Sequence, residues 1–204
     1  MQVGEVIGGS LSKLLIDVKR DAPTEDIWPV DFGSFVKIKG RNRDLIGVVV
    51  DMYYEPLERG KPRPRWLEEK KILDRIYPDL HEKHMSLAEV FTLGYCKWRE
   101  PCQKLPAYPP PIHSAADLME DEGIKDFHSA DSGNQKVRLD YVNRMISELD
   151  AGRCLDLLKV IVDKLETLGL NRNVIVSEIT SFYIALGQEE MVPTVSSRLS
   201  QGVR

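Results

Sequence analysis

The sequence predicts an α+β protein: a small antiparallel β-barrel with a helical insertion, followed by a C-terminal α-helical bundle. Three observations carry that expectation. Short β-branched runs separated by glycine and asparagine turns fill the first half of the chain. Apolar residues recur at three- and four-residue spacing through the last third. Between the two patterns lies a short acidic stretch interrupted by glycine and serine.

The strands follow in order. Val3 to Ile7 leads into the turn Gly8-Gly9-Ser10 and then into Leu14 to Val18. Ser34-Phe35-Val36-Lys37-Ile38-Lys39 alternates apolar and polar or basic residues, the period of a half-buried strand. Gly40-Arg41-Asn42-Arg43 breaks the chain, and Leu45 to Tyr54 resumes it with Val48, Val49 and Val50 at the centre. Glu89 to Cys96 reads as a further strand. Short strands of this kind close most simply into a barrel. Residues 56–86 form an excursion from it. Arg59-Gly60-Lys61-Pro62-Arg63-Pro64-Arg65 is excluded from a sheet interior, because proline supplies no ladder donor. Trp66 to Tyr77 reads as a short helix, with Leu67, Leu73 and Ile76 available for burial, and Pro78 turns Tyr77 away from helical geometry.

The bundle is written in four amphipathic segments. Val137 to Leu149 places Tyr141, Val142, Met145, Ile146 and Leu149 on one stripe. Leu155 to Leu168 repeats the pattern and stops at Gly169, a C-terminal cap. A third helix, capped by Asn173, runs to Leu186 before Gly187 and is apolar on more than one face, as a central bundle helix would be. A weaker fourth spans Glu189 to Leu199, with Pro193 tolerable only in its first turn.

Charge sharpens the division. The 204 residues hold 28 Lys plus Arg and 32 Asp plus Glu, a net of -4. Residues 117–133 carry six carboxylates against Lys125 alone, while 1–116 is close to neutral and 134–204 is balanced. The expected domains are therefore a barrel over 1–116, an acidic linker over 117–133 and a helical module over 134–204. A hydrophobic content of 42% suits a globular chain. No apolar run approaches the roughly 18 residues of a membrane span, and no basic-then-apolar leader pattern opens the chain. Cys96, Cys102 and Cys154 are too few for a disulfide scaffold. A cytoplasmic protein without membrane contact is expected.

The strand motifs carry a resemblance. Val3-Gly4-Glu5-Val6-Ile7-Gly8, Asp31-Phe32-Gly33-Ser34-Phe35-Val36-Lys37-Ile38 and Leu45-Ile46-Gly47-Val48-Val49 resemble the HAS barrel, named for HerA and ATP synthase. Leu93-Gly94-Tyr95, then Leu105-Pro106-Ala107-Tyr108-Pro109-Pro110-Pro111, resembles the glycine strand and proline-rich exit of HerA-like chains. The resemblance covers residues 2–116 in pieces and implies ring assembly or docking on a partner nuclease. It supplies no catalytic residue. The Walker A loop of HerA-type motors, G-x-x-x-x-G-K-[ST], is absent from the sequence, so the backbone cradle and lysine for phosphates are missing.

Arg59, Lys61, Arg63, Arg65, Lys70 and Lys71 oppose only Glu68 and Glu69, and Trp66 is available to stack on an unpaired base. Lys37, Lys39, Arg41 and Arg43 extend this basic patch if they face the same side. The competing expectation is a solvated loop with Trp66 packed on the barrel. His81, His84, Cys96, Cys102 and His113 offer zinc donors, but Cys-x5-Cys is not a knuckle spacing. No G-x-S-x-G elbow or G-x-G-x-x-G loop occurs. The sequence thus predicts a non-catalytic adaptor or assembly module without cofactor or metal, docking on a protein partner such as a translocase or nuclease. Direct nucleic-acid binding through 59–71 is the alternative, an unrecognised enzyme the third, and self-association of the chain is left open.

Overall fold

The structure of the protein, a computed structural model, describes residues 1–19, 28–56, 84–98, 100–130 and 136–202, and among these residues it has seven strands and five α-helices. Strands β1 (Gln2–Gly9), β2 (Lys13–Val18), β3 (Phe35–Ile38), β4 (Asp44–Pro56), β5 (His84–Lys97), β6 (Glu100–Cys102) and β7 (Ala115–Leu118) are followed by the helices. These are α1 (Asp121–His128), α2 (Val142–Glu148), α3 (Ala151–Thr167), α4 (Arg172–Ala185) and α5 (Val192–Ser200), the last preceded by a 3-10 turn at Glu189–Met191. The excursion proposed for 56–86 falls almost wholly outside the described residues.

Every strand pairing among the described residues is antiparallel. The order β2-β1-β7-β3-β4-β5 is closed by pairing of β2 with β5, giving a six-stranded barrel, and β6 hangs from β5 as a hairpin arm. β5 is long enough to serve three neighbours. Its whole length pairs with β4, while its other edge pairs with β2 at 87–91 and with β6 at 95–97. Between those partners the Leu93 carbonyl would lack a donor; Arg144 of α2 supplies one at 2.9 Å.

Two apolar cores follow from the side-chain period of two. Val3, Val6, Leu14, Ile16, Val18, Val36, Ile38, Leu45, Val49, Ala88, Val90 and Ala116 fill the barrel. Phe35, Ile46, Val48, Val50, Phe91 and Leu93 point the other way and share a second core with the helices, including Leu157, Leu158, Ile161, Ile175 and Ile179. The helices are stopped as their glycines dictate. Gly169 and Gly187 adopt φ of 86° and 71°, and the amides of Gly169 and Leu170 close on Glu166 and Leu165. The α4 cap is Asn171, whose side chain accepts from the amides of Asn173 and Val174; the expected cap Asn173 is the second helical residue.

Two further expectations are corrected. Residues 117–133 were expected to be a solvated linker, yet 117–118 complete β7 and 121–128 form α1, whose Ile124, Phe127 and His128 are buried. The acids occupy the outer face, and the three-residue spacing of Ile124 and Phe127 turns the apolar side inward. The proline-rich segment is not an exit: it returns the chain into β7, which inserts between β1 and β3.

Candidate functional site

The junction of α1 and the barrel is sealed by buried polar groups rather than poised chemistry. His128 lies fully buried, its Nδ1 2.7 Å from the Ile124 carbonyl and its Nε2 2.9 Å from the Tyr141 hydroxyl. The carbonyl can only accept, so Nδ1 carries the proton and Nε2 accepts from Tyr141. Burial pulls the imidazole pKa down to about 4, so it is neutral at pH 7. Gln103 donates to the carbonyls of Phe127 at 3.1 Å and Arg138 at 2.9 Å and accepts from the Asp140 amide at 2.8 Å. In α4, Arg172 is paired with Asp163 and Glu166 and caps the Leu199 and Gln201 carbonyls at the end of α5. Each of these groups is spent on holding elements together.

The open surface lies at the end of the barrel where β3 turns into β4. A cleft of about 1190 Å³ runs between this turn, the β5–β6 hairpin and α1. Its cations are Lys37, Lys39, Arg41, Arg43 and Lys97, from β3, the β3–β4 turn and the end of β5. Its carboxylates are Asp117 of β7, Glu120 just before α1, Glu122 and Asp126 of α1, and Asp44 of β4. Among the described residues five cations thus meet five carboxylates, and Lys39 already reaches Asp117 at 3.3 Å. Ile46, Leu118, Met119 and Phe127 contribute apolar lining.

Trp98 stands at the tip of the β5–β6 hairpin on the rim of this cleft. It is 86% exposed and holds φ of 54°. A bulky side chain in the left-handed region costs about 1–3 kcal/mol, and an exposed indole recovers little of that through burial. The indole nonetheless stands in solvent, a large amphipathic ring beside charges of both signs. Beside it, the Arg43 guanidinium lies over the rings of Tyr95 and Tyr108, 5.0 Å from each centroid. Hydrogen bonding from Arg43 together with its charge lowers the Tyr108 hydroxyl pKa.

The structure brings Lys37, Lys39, Arg41 and Arg43 to this cleft, as their strand-and-turn spacing allows. The main nucleic-acid candidates, Arg59, Lys61, Arg63, Arg65, Trp66, Lys70 and Lys71, lie outside the described residues, as does His81. Of the weighed metal donors, Cys96 lines the cleft with its thiol pKa raised by burial, and His113 sits 3.1 Å from Glu5. Among the described residues no three His, Cys, Asp or Glu side chains gather to hold a metal. Trp98 was missed by the sequence reading, although Lys97-Trp98-Arg99 between a strand and Glu100 marks an aromatic between basic neighbours.

Matched against protein-family models and against curated proteins, the sequence finds no match. No described helix is long and apolar enough to cross a membrane.

Proposed function

We propose that the protein is a non-catalytic docking module that holds a protein partner against the end of its barrel, in an assembly of the HerA kind. The observation that carries this reading is the two-signed cleft with Trp98 held exposed and strained on its rim. Strained, exposed aromatics cluster at binding sites, and Trp and Arg are the side chains that dominate docking energy. A closed six-stranded antiparallel barrel, the part of the chain that carries the HAS resemblance, supports the same reading.

The charge balance favours protein over nucleic acid at this cleft. A phosphate track drawn to Lys37, Lys39, Arg41 and Lys97 would run beside Glu120, Glu122 and Asp126 and be repelled. A polypeptide of mixed charge satisfies both walls.

The test is co-elution of the full chain with a HerA-type translocase or its nuclease in size-exclusion chromatography. Co-elution is expected for the native chain and its loss for Trp98→Ala and Arg41→Glu. If neither substitution affects complex formation, the cleft is not the docking surface. A salt-sensitive DNA mobility shift that Arg63→Glu with Arg65→Glu abolishes would transfer the function to the alternative. The full chain is required, because removing the helices would expose Phe35, Ile46, Val48, Val50, Phe91 and Leu93.

A further inference from the structure

The β3–β4 turn has recesses on both of its sides. Gly40 to Arg43 line the large cleft on one side and, on the other, a smaller recess of about 240 Å³ bounded by Leu45, Tyr108 and Pro109 to Pro111. Arg43 belongs to both, and its guanidinium lies over Tyr95 and Tyr108 at 5.0 Å from each ring centroid. Two aromatic contacts restrict a side chain that otherwise samples many rotamers, so less freedom is lost when it binds. Among the described residues no carboxylate pairs with Arg43 or with Arg41 on the same turn. The neighbouring Lys39 differs in being engaged by Asp117.

We propose that Arg43 is a preorganised carboxylate receptor. It takes an Asp or Glu side chain from an acidic peptide segment of the docking partner, while an adjoining apolar side chain of that segment sits in the recess against Leu45 and the prolines. The planar guanidinium fork matches a carboxylate through two parallel N–H donors, which a lysine cannot reproduce. A single carboxylate placed on the turn stays clear of the acidic wall of α1, whereas an extended polyanion does not. This inference rests on the docking reading and names the chemistry of the partner at one point of contact.

The test needs no identified partner. The full chain is titrated with a capped peptide carrying glutamate between leucine and proline, with its glutamine counterpart, and with inorganic phosphate. The readout is the Arg43 Nε–H resonance together with the binding isotherm. The glutamate peptide is expected to shift that resonance and to bind about tenfold more tightly than the glutamine peptide, with Arg43→Lys losing about the same factor. Equal binding of the two peptides, an unmoved Arg43 resonance, or full affinity in Arg43→Lys overturns the proposal. Phosphate competing as well as the glutamate peptide overturns it too, in favour of a phosphate site. The comparison of peptides on the native chain stands even if a variant folds poorly. Partner docking that survives Arg43→Lys but not Trp98→Ala keeps the docking reading and sinks the receptor. Docking insensitive to both sinks the docking reading, and the titration still judges Arg43.

Discussion

Strands β2 and β4 belong to the same barrel but bury different numbers of faces. In β2, Leu14, Ile16 and Val18 are buried while Lys13, Leu15 and Asp17 are half-exposed. In β4, Leu45 through Val50 is buried without interruption, Gly47 included. The difference is the helical layer, which covers the outer face of β3, β4 and β5 and contributes a core they share. A strand covered once shows alternation, and a strand covered twice shows a continuous apolar run. The Val48-Val49-Val50 run is therefore the trace of the helices in the barrel's sequence, and the covered wall and the helices stabilise one another.

Stability measurements can break that comparison. Leu158 of α3 is fully buried in the shared core, so Leu158→Ala should lower unfolding free energy by about 2–5 kcal/mol. Leu15→Thr on the uncovered face of β2 should cost less than about 1 kcal/mol. Equal losses in chemical denaturation would mean that the two walls are not differently supported.

Acid probes the seam between barrel and helices. His128 has its pKa depressed from 6.5 to about 4, so the unfolded chain binds the extra proton first as pH falls. Its contribution is fully present above about pH 6.5 and is lost progressively towards pH 4, a decline of about 3 kcal/mol. Denaturation midpoints recorded across that window should fall in the native chain and flatten in His128→Phe. A native profile without this decline would show that His128 is not held neutral at the seam.

A close approach of the two layers at Gly33 offers a smaller effect. Gly33 has φ of 84°, and a Cβ there would lie 2.4 Å from Val160 Cγ1 of α3. Gly33→Ala should cost about 1–3 kcal/mol. Adding Val160→Ala should recover the part due to crowding and leave the part due to backbone strain. No recovery in the double variant would deny that the layers meet at this point.

The smallest expected effect has the opposite sign. Trp98→Asn removes a bulky residue from the left-handed region and should stabilise the fold by about 0.5–1 kcal/mol while weakening docking. A destabilised variant would show that the indole supports the fold rather than a binding site.

Particular residues show why some of this was legible in the chain and some was not. Gly169 and Gly187 stop α3 and α4 where the periodic stripes end, because a left-handed cap is a local requirement. The α1 segment was hidden by its composition: six carboxylates in 117–133 outweigh Ile124 and Phe127 in any average, although those two, with His128, make its inner face. β7 was hidden because Ala115 to Leu118 has no β-branched residue and is short. It exists through its two neighbours, β1 and β3.

The sequence by itself determined the type of most elements, their ends and the faces they bury, since these follow from periodicity and from backbone preferences a few residues apart. Only the tertiary structure decided that β2 closes on β5, that the proline-rich segment returns through β7, and that barrel and helices share a core. It alone also brought Arg43, Tyr95 and Tyr108 together and set Trp98 on the rim of a two-signed cleft. Those features depend on which distant segments pack together, and no local pattern of residues records that choice.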